Sequence, residues 1–262
     1  MGVLNVTPDS FSDGGQFVDA NSAVEHALQM VEEGANIVDV GGESTRPGAD
    51  AVDIEEELRR VIPVIEQLHA KSNVLISVDT SKAHVARAAL KAGASIINDV
   101  TGGSGDAGMF GTAAETKATL IIMHMQGTPR TMQKDPEYAD VVTEVADFFR
   151  QRFERAIQCG IDPMAMAFDP GIGFGKTLEH NLQLLGNLDR LRVESRPLVV
   201  GVSRKSFIGK LIGSTEMKER FAPTIALTSL MRAGGADVVR VHDVKENAGA
   251  LRVAQAVMEA RR

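Results

Sequence analysis

The sequence predicts an α/β fold, a (β/α)8 barrel of the TIM-barrel class, as one domain over residues 1–262. Eight short apolar segments alternate with helical patterns, and no linker or low-complexity tract separates them. That alternation, over a length usual for such a barrel, favours a closed parallel sheet surrounded by helices. A doubly wound open sheet is the alternative, but it usually has a glycine-rich turn leading directly from its first strand into a helix. The long first loop, residues 7–15, lacks that form.

The first half of the chain gives four strand–helix units. The predicted strands are short apolar runs at 2–6, 37–40, 75–79 and 96–99. The first helix is predicted to begin at a capping box of Ser22 and Glu25 and to end at Gly34. Asp53 is the predicted N-cap of the second helix, which Pro63 is expected to kink. Helices over 83–92 and 107–117 follow the next two strands.

The second half repeats the pattern. Apolar runs predict strands at 120–124, 166–169, 198–201 and 238–241. Amphipathic patterns predict helices over 139–158, 178–187, 206–212, 222–233 and 245–260. The strand at 198–201 leads directly into Ser203, Arg204 and Lys205, so one strand end carries a hydroxyl, a guanidinium and an ammonium group.

An internal repeat supports the barrel. The segments 34–39 (GANIVD), 93–98 (GASIIN) and 235–240 (GADVVR) each begin with a glycine that can end a helix. Each then enters a strand and places a polar residue five positions after the glycine. The repeat therefore predicts polar side chains at the carboxyl ends of several strands.

Composition excludes several classes of protein. The formal net charge of −7 argues against nucleic-acid binding as the main task. No apolar run approaches the length needed to span a membrane, and the start lacks a signal-peptide pattern. Cys159 is the only cysteine, which rules out an intrachain disulfide or a cysteine zinc site. We expect a cytoplasmic protein.

Polar residues stand at the end of every predicted strand, where the ligands of parallel barrels bind. They are Asn5, Asp39, Asp79, Asn98, His124, Asp169, Ser203 with Lys205, and Arg240 with His242. A single such residue is usually a turn former or a helix cap. Several carboxylates and amides with a lysine and an arginine on one rim indicate a ligand, because buried charges need partners.

The residue types predict two pockets at this rim. Asp169 can accept two N–H bonds from a nitrogen heterocycle, while Asn98 and Lys205 can contact the adjoining edges. A second, cationic and hydroxyl-bearing group is suited to phosphate oxygens. Its members are Thr45, Arg46, Arg240 and His242.

Seven ordered segments resemble dihydropteroate synthases over essentially the whole chain. They are 4–15 (LNVTPDSFSDGG), 40–48 (VGGESTRPG), 77–80 (SVDT), 97–99 (IND), 169–176 (DPGIGFGK), 201–206 (GVSRKS) and 240–243 (RVHD). The resemblance implies a pterin-binding barrel that joins 6-hydroxymethyl-7,8-dihydropterin pyrophosphate to p-aminobenzoate. The expected products are pyrophosphate and 7,8-dihydropteroate, for folate synthesis.

The resemblance also assigns roles by position. The expected catalytic residues are Asp79, Lys205, Arg240 and His242. Asp79, Asn98, Met123, Asp169, Lys205 and Arg240 would hold the pterin. Asn5, Thr45, Arg46, Arg240 and His242 would hold the pyrophosphate, with Mg²⁺ bound near Asn5. Phe11, Thr45, Pro47, Phe174 and Ser203 would surround p-aminobenzoate, and sulfonamide inhibitors would occupy the same space.

Family members usually have a short hairpin before the first strand, which is absent or trimmed here, and the family suggests a homodimer. Two alternatives share the pterin residues. A methyltetrahydrofolate-dependent methyltransferase with a corrinoid partner would not need Thr45, Arg46, the opening loop or the segment Ser203, Arg204 and Lys205. A non-catalytic pterin-binding protein predicts a gap in the anion pocket, and the sequence has none.

Overall fold

The computed structural model of the protein describes residues 1–7, 16–45 and 48–260, in which strands and helices alternate. The strands are β1 (Gly2–Asn5), β2 (Ile37–Gly41), β3 (Leu75–Asp79), β4 (Ile96–Asp99), β5 (Thr119–Met123), β6 (Met166–Asp169), β7 (Val199–Gly201) and β8 (Val238–Arg240). The helices are α1 (Gln16–Glu32), α2 (Ile54–Lys71), α3 (Ala83–Ala92), α4 (Met109–Thr116), α5 (Val141–Gln158), α6 (Leu178–Leu185), α7 (Ser206–Ile212), α8 (Phe221–Ala233) and α9 (Val244–Glu259).

The strands form a closed ring. Strands β1 to β6 pair in chain order, every pair is parallel, and β7 pairs with β8. Single bridges join Phe168 of β6 to Leu198, next to β7, and Gly2 of β1 to Val241, next to β8. The amide of Val3 donates to the carbonyl of Val241 at 2.9 Å across the last seam. The predicted barrel is confirmed.

Strand alternation divides the core into two layers. Inside the barrel, a small apolar cluster fills the end opposite the site: Met1, Ile37, Ile96, Ile121, Ala167, Val199 and Val238. Between the barrel and its helices, the next residue of the same strands is buried in a larger cluster that includes Val38, Ile97, Ile122, Phe168, Val200 and Val239. Successive side chains point to opposite faces. The residue two positions after each interior apolar residue therefore faces the barrel axis again, at the carboxyl end.

The internal repeat is a helix-ending motif. Gly34, Gly93 and Gly235 have φ angles of +110°, +120° and +106°, a region that favours glycine. In each case the amide of the following alanine donates to the carbonyl five residues earlier, at 2.9 to 3.0 Å. This is the Schellman pattern, and it turns the chain from a helix into the next strand.

Two local predictions have different outcomes. Asp53 caps α2 as predicted, since its Oδ1 accepts from the amide of Glu56 at 2.8 Å. The predicted capping box at Ser22 is wrong, because α1 begins at Gln16 and Ser22 lies inside it. Ala20 is already buried, so packing against the barrel stabilises helical structure at residues that precede the predicted cap. The other predicted ends differ from the structure by at most two residues, and α2 continues through Pro63.

Candidate active site

The polar strand ends meet at one mouth of the barrel. Asp39, Asp79, Asn98, Asp169 and Arg240 each lie two residues after an inward-facing position of their own strand. The strand register places Asp79 beside Asn98. The sequence prediction that these groups converge is confirmed by this arrangement.

Arg240, which is partly exposed, joins two buried carboxylates. Its Nε donates to Oδ2 of Asp39 at 2.6 Å, and an Nη atom donates to Oδ2 of Asp79 at 2.7 Å. Asn98 donates from Nδ2 to the same Asp39 oxygen at 3.0 Å. Asp39 had no assigned role in the sequence analysis beyond its place among the strand ends. The signal that could have found it is its inward-facing position, because Asp39 pairs with Ser77, two residues before the inward-facing Asp79.

The two carboxylates of this cluster retain free acceptor atoms. Oδ1 of Asp39 and Oδ1 of Asp79 are buried and have no hydrogen-bond partner within the described residues. Burial raises the pKa of Asp79 to about 7, the Arg240 charge opposes the rise, and Asp39 adds to it. Although burial opposes it, the charges of Asp39 and Asp79 hold the pKa of Arg240 above its usual value. Buried acceptors without partners suit a ligand that donates hydrogen bonds.

A second group lies around Asp169 and Lys205. Oδ1 of Asp169 accepts from the amide of Gly171 at 2.7 Å, and burial raises the pKa of this carboxyl despite that bond and the nearby cations. The Nζ of Lys205 lies 4.0 Å from the ring centroid of Phe174, a cation–π contact. Burial, and then the Arg240 charge, lowers the pKa of Lys205 to about 8. Met123, 4% exposed, pairs with Asp169 in the strand register.

His242 of the predicted anion pocket contacts Ser203, which the resemblance assigns to the p-aminobenzoate surroundings. The backbone amide of His242 donates to Oγ of Ser203 at 3.2 Å, and the ring Nδ1 lies 3.0 Å from the same oxygen. Burial, and then the Arg240 charge, lowers the pKa of His242 to about 4. The imidazole is therefore neutral near pH 7. The predicted anion pocket thus gains a neutral hydrogen-bonding ring at this position, because burial disfavours a second cation beside Arg240.

Asn5 lies at the mouth on the same side. It lines a cleft of about 330 Å³ with His242, Arg204 and Asp243. Among the residues that the structure describes, no hydrogen bond of its side-chain amide is found. Its amide oxygen is therefore available to a ligand.

His124 does not join the mouth, contrary to its place among the predicted strand ends. Met123 faces inward, so the next residue points to the helical layer. The His124 ring lies 4.9 Å from the Phe148 ring, edge to face, and its Nδ1 is 3.0 Å from the Nζ of Lys176. Sequence reasoning assigned no role to Lys176, although it ends the resemblance segment 169–176.

Three of the predicted site residues lie outside the described part of the chain: Phe11, Arg46 and Pro47. Thr45 is described, is half-buried, and follows β2 by four residues.

The comparisons with known proteins cover the whole mouth. The family of pterin binding enzymes matches residues 1–242. Dihydropteroate synthase of Escherichia coli strain K12 is 49% identical over 261 residues, which is 100% of this chain and 92% of that protein. Dihydropteroate synthase of Xanthomonas albilineans with 4-aminobenzoic acid has a TM-score of 0.92 and 47% identity over 98% of this chain and 92% of that one. The Yersinia pestis enzyme with a sulfonamide drug has a TM-score of 0.93 and 44% identity over 99% and 94%.

These relatives are similar in sequence, in fold and along nearly their whole length. The methyltransferase alternative would share the pterin residues alone, whereas the matched range also includes the opening loop and the segment after β7. The sequence identity of 49% extends over the whole of this chain, and so includes the residues of both predicted pockets. The chain belongs to the dihydropteroate synthase family of pterin-binding enzymes, which are transferases of folate synthesis.

Proposed function

We propose that the barrel mouth condenses 6-hydroxymethyl-7,8-dihydropterin pyrophosphate with p-aminobenzoate to give 7,8-dihydropteroate and pyrophosphate. The observation that carries this proposal is the set of inward-facing carboxylate and amide groups around the partly buried Arg240, with the Lys205 ammonium nearby. Structures of Xanthomonas albilineans relatives bound to 4-aminobenzoic acid and to 7,8-dihydropteroate support the choice of substrates. The proposed domain is the whole chain, 1–262.

The pterin would lie deep in the mouth. Asp169 has one oxygen held by Gly171, which leaves the other to accept N–H bonds from the amidine-like edge of the ring. Asn98 and Lys205 would contact the neighbouring edges, and Met123 would pack beside the ring. Arg240 and the free oxygen of Asp79 would complete the pocket.

The chemistry needs little base catalysis. The aryl amine is a free nucleophile, and its nitrogen attacks the methylene carbon while the C–O bond to pyrophosphate breaks. The electron pair of that bond leaves with pyrophosphate, and the amine loses a proton to the leaving group or to water. Arg240 and His242 would stabilise the negative charge that develops on the leaving oxygen, and Asp79 would stabilise a cation-like methylene.

The leaving group would be held by Asn5, Thr45, Arg46, Arg240 and His242. Among the described residues, no cluster of three or more His, Cys, Asp or Glu side chains could hold a metal ion alone. The free amide oxygen of Asn5 nevertheless fits Mg²⁺, which usually takes few protein ligands and completes its shell with phosphate oxygens and water. When bound, the ion would offset the charge of the pyrophosphate.

Chelation of Mg²⁺ is expected to weaken binding of the pterin pyrophosphate by at least ~10-fold, because the phosphate charge then loses its main counter-ion. Titration calorimetry with and without a chelator measures the change. The matched control is 6-hydroxymethylpterin without the pyrophosphate, whose affinity should stay the same. Equal affinity of the pyrophosphate ligand under both conditions would remove the ion from the scheme.

The p-aminobenzoate would bind nearer the rim. Phe174, which contacts Lys205, and Ser203, which bonds His242, would line this site, and Thr45 after β2 would join them. Phe11 and Pro47 would complete the pocket by position in the resemblance segments.

Sulfonamides are expected to inhibit this enzyme, because they present an aryl amine and an acidic group like those of p-aminobenzoate. The Yersinia pestis relative with a sulfonamide drug bound supports this. Steady-state assays with sulfamethoxazole should show inhibition that p-aminobenzoate overcomes, with kcat unchanged. Failure of high drug concentrations to raise the apparent KM for p-aminobenzoate would contradict the prediction.

The decisive experiment for the function mixes both substrates with the purified protein. Pyrophosphate should appear together with an equal amount of dihydropteroate, and omission of either substrate should abolish both products. Binding of pterin pyrophosphate without release of pyrophosphate would favour the non-catalytic alternative. Methyl transfer from methyltetrahydrofolate to a corrinoid would favour the methyltransferase.

We also propose a homodimer and a cytoplasmic location. Large apolar side chains are exposed on the last helices: Leu211, Ile212, Phe221, Leu230, Val253 and Val257. A second copy covering this surface would remove apolar area from water. No helix in the described part of the chain is long and apolar enough to cross a membrane.

A further inference from the structure

Lys176 is a buried lysine without an ion-pair partner among the described residues. It is 3% exposed. Its Nζ lies 3.0 Å from Nδ1 of His124, and it donates to the carbonyls of His124 at 3.3 Å and of Phe174 at 2.9 Å. All three contacts are with neutral acceptors. Because a buried ammonium is unfavourable without compensation, its presence calls for a reason.

The electrostatic surroundings of Lys176 point to Asp169. Burial lowers the pKa of Lys176 to about 7, the Asp169 charge opposes this, and the Lys205 charge adds to it. Burial, and then the Lys176 charge, lowers the pKa of His124 to about 3, so this ring stays neutral and can accept at Nδ1. The opposite charge that favours the ammonium is therefore the carboxylate at the end of β6.

Lys176 also secures the loop between β6 and α6. Its bond to the Phe174 carbonyl fixes the residue whose ring lies under the Nζ of Lys205. The same loop approaches the end of β5 so closely that a Cβ on Gly171 would lie 1.9 Å from the His124 carbonyl oxygen. Gly171 in turn donates to Asp169. One ammonium group thus contacts both the loop after β5 and the loop after β6, which carries Phe174 and the Gly171 amide that donates to Asp169.

We propose that Lys176 is a positioning residue for the pterin pocket, which holds Phe174 beneath Lys205 and supplies a positive charge that acts on Asp169. This inference rests on the proposed pterin site and assigns a role to a residue that does not touch the substrate. The charge opposes the rise that burial causes in the pKa of Asp169, and so favours the carboxylate form that accepts N–H bonds from the pterin.

Two neutral side chains hold the same loop and allow the two effects to be separated. The hydroxyl of Tyr138 donates to the carbonyl of Gly175 at 2.8 Å, and Nε2 of Gln133 donates to the carbonyl of Gly173 at 2.7 Å. Removing either contact loosens the loop without changing its charge. Tyr138→Phe is therefore the matched control for loss of an anchor alone.

The proposed charge effect has a defined direction with pH. Burial raises the pKa of Asp169, while the Gly171 amide and then the charges of Lys205, Arg240 and Lys176 oppose the rise. Loss of the Lys176 charge raises that pKa further, so the carboxylate takes up a proton at higher pH. Above about pH 7 wild-type Lys176 itself loses its proton, and wild type and a neutral variant should converge.

The experiment measures binding of the pterin pyrophosphate by calorimetry between about pH 5.5 and about pH 9, for wild type, Lys176→Met, Lys176→Gln and Tyr138→Phe. Lys176→Met should weaken binding by at least ~10-fold on the acidic side, with the difference shrinking as pH rises. Lys176→Gln, which keeps a donor but no charge, should show the same pH trend and serves if the methionine variant does not fold.

The outcomes separate the inference from the proposed function. A wild-type protein that does not bind the pterin pyrophosphate overturns the function and the pocket together. If wild type binds but a Lys176 variant loses the same factor of affinity at every pH, as Tyr138→Phe would, the charge role is overturned. Lys176 then acts only as an anchor of the loop. Folded Lys176→Gln with wild-type affinity throughout the range overturns the inference completely.

Discussion

Asp169→Asn and Lys205→Ala are each expected to lower kcat/KM by at least ~100-fold, the scale for losing one charged contact in a water-excluded site. In Asp169→Asn, the amide oxygen can still accept from Gly171, but the other position becomes an N–H donor facing the donor edge of the pterin. Lys205→Ala removes the ammonium over the Phe174 ring. Steady-state kinetics with both substrates measures the change.

Folding should survive both substitutions, because neither creates an apolar cavity in the core. Circular dichroism and thermal unfolding check this, with the exposed Asp189→Asn and Lys210→Ala as matched controls of unchanged activity. Wild-type kinetics in either Asp169→Asn or Lys205→Ala would show that the pterin pocket lies elsewhere.

Arg240→Met is expected to reduce both activity and stability. The change leaves Asp39 and Asp79, 0% and 7% exposed, without their cation, and breaking a buried pair from one side costs about 3 kcal/mol. Turnover should fall at least ~100-fold, because the pyrophosphate also loses a cation. Denaturant unfolding and the rate of pyrophosphate release measure the two effects.

The stability loss in Arg240→Met should depend on pH with a definite sign. The pKa of Asp79 is already raised to about 7 by burial, and loss of the guanidinium raises it further. A carboxyl whose pKa is raised in the folded state stabilises the fold less as pH rises toward that pKa. The difference in unfolding free energy between wild type and Arg240→Met should therefore be larger at about pH 8 than at about pH 5. Arg87→Met, which breaks an exposed pair with Glu115, should cost under about 1 kcal/mol. A gap that narrows with rising pH would contradict this account.

Local sequence patterns located most of the elements. Strands β3, β4 and β6 and helices α3 and α7 have the predicted bounds, because short apolar runs and helical stripes report burial directly. Helix α1 shows the limit of this reasoning. The capping pattern at Ser22 predicted a later start than the one observed, because the buried Ala20 extends the helix toward its N-terminus. That burial depends on where the barrel lies.

The site residues were best predicted on the strands, where side chains alternate between the two faces of the sheet. Asp79, Asn98, Asp169 and Arg240 were identified as strand-end groups, and their convergence required only a closed parallel barrel. The pairing of Arg240 with two aspartates could not be read from the chain, because Arg240 lies 201 positions from Asp39 and 161 from Asp79.

By itself, then, the sequence determined the alternation of strands and helices, the polar residue at each strand end and the family, since these depend on local periodicity and on motif order. The tertiary structure alone decided which of those polar groups form ion pairs with one another. It turned His124 away from the mouth, left His242 neutral beside Ser203, and brought the Lys176 ammonium to the carbonyls of His124 and Phe174. Burial and the approach of residues distant in sequence set these properties, because desolvation and Coulomb interactions depend on three-dimensional position.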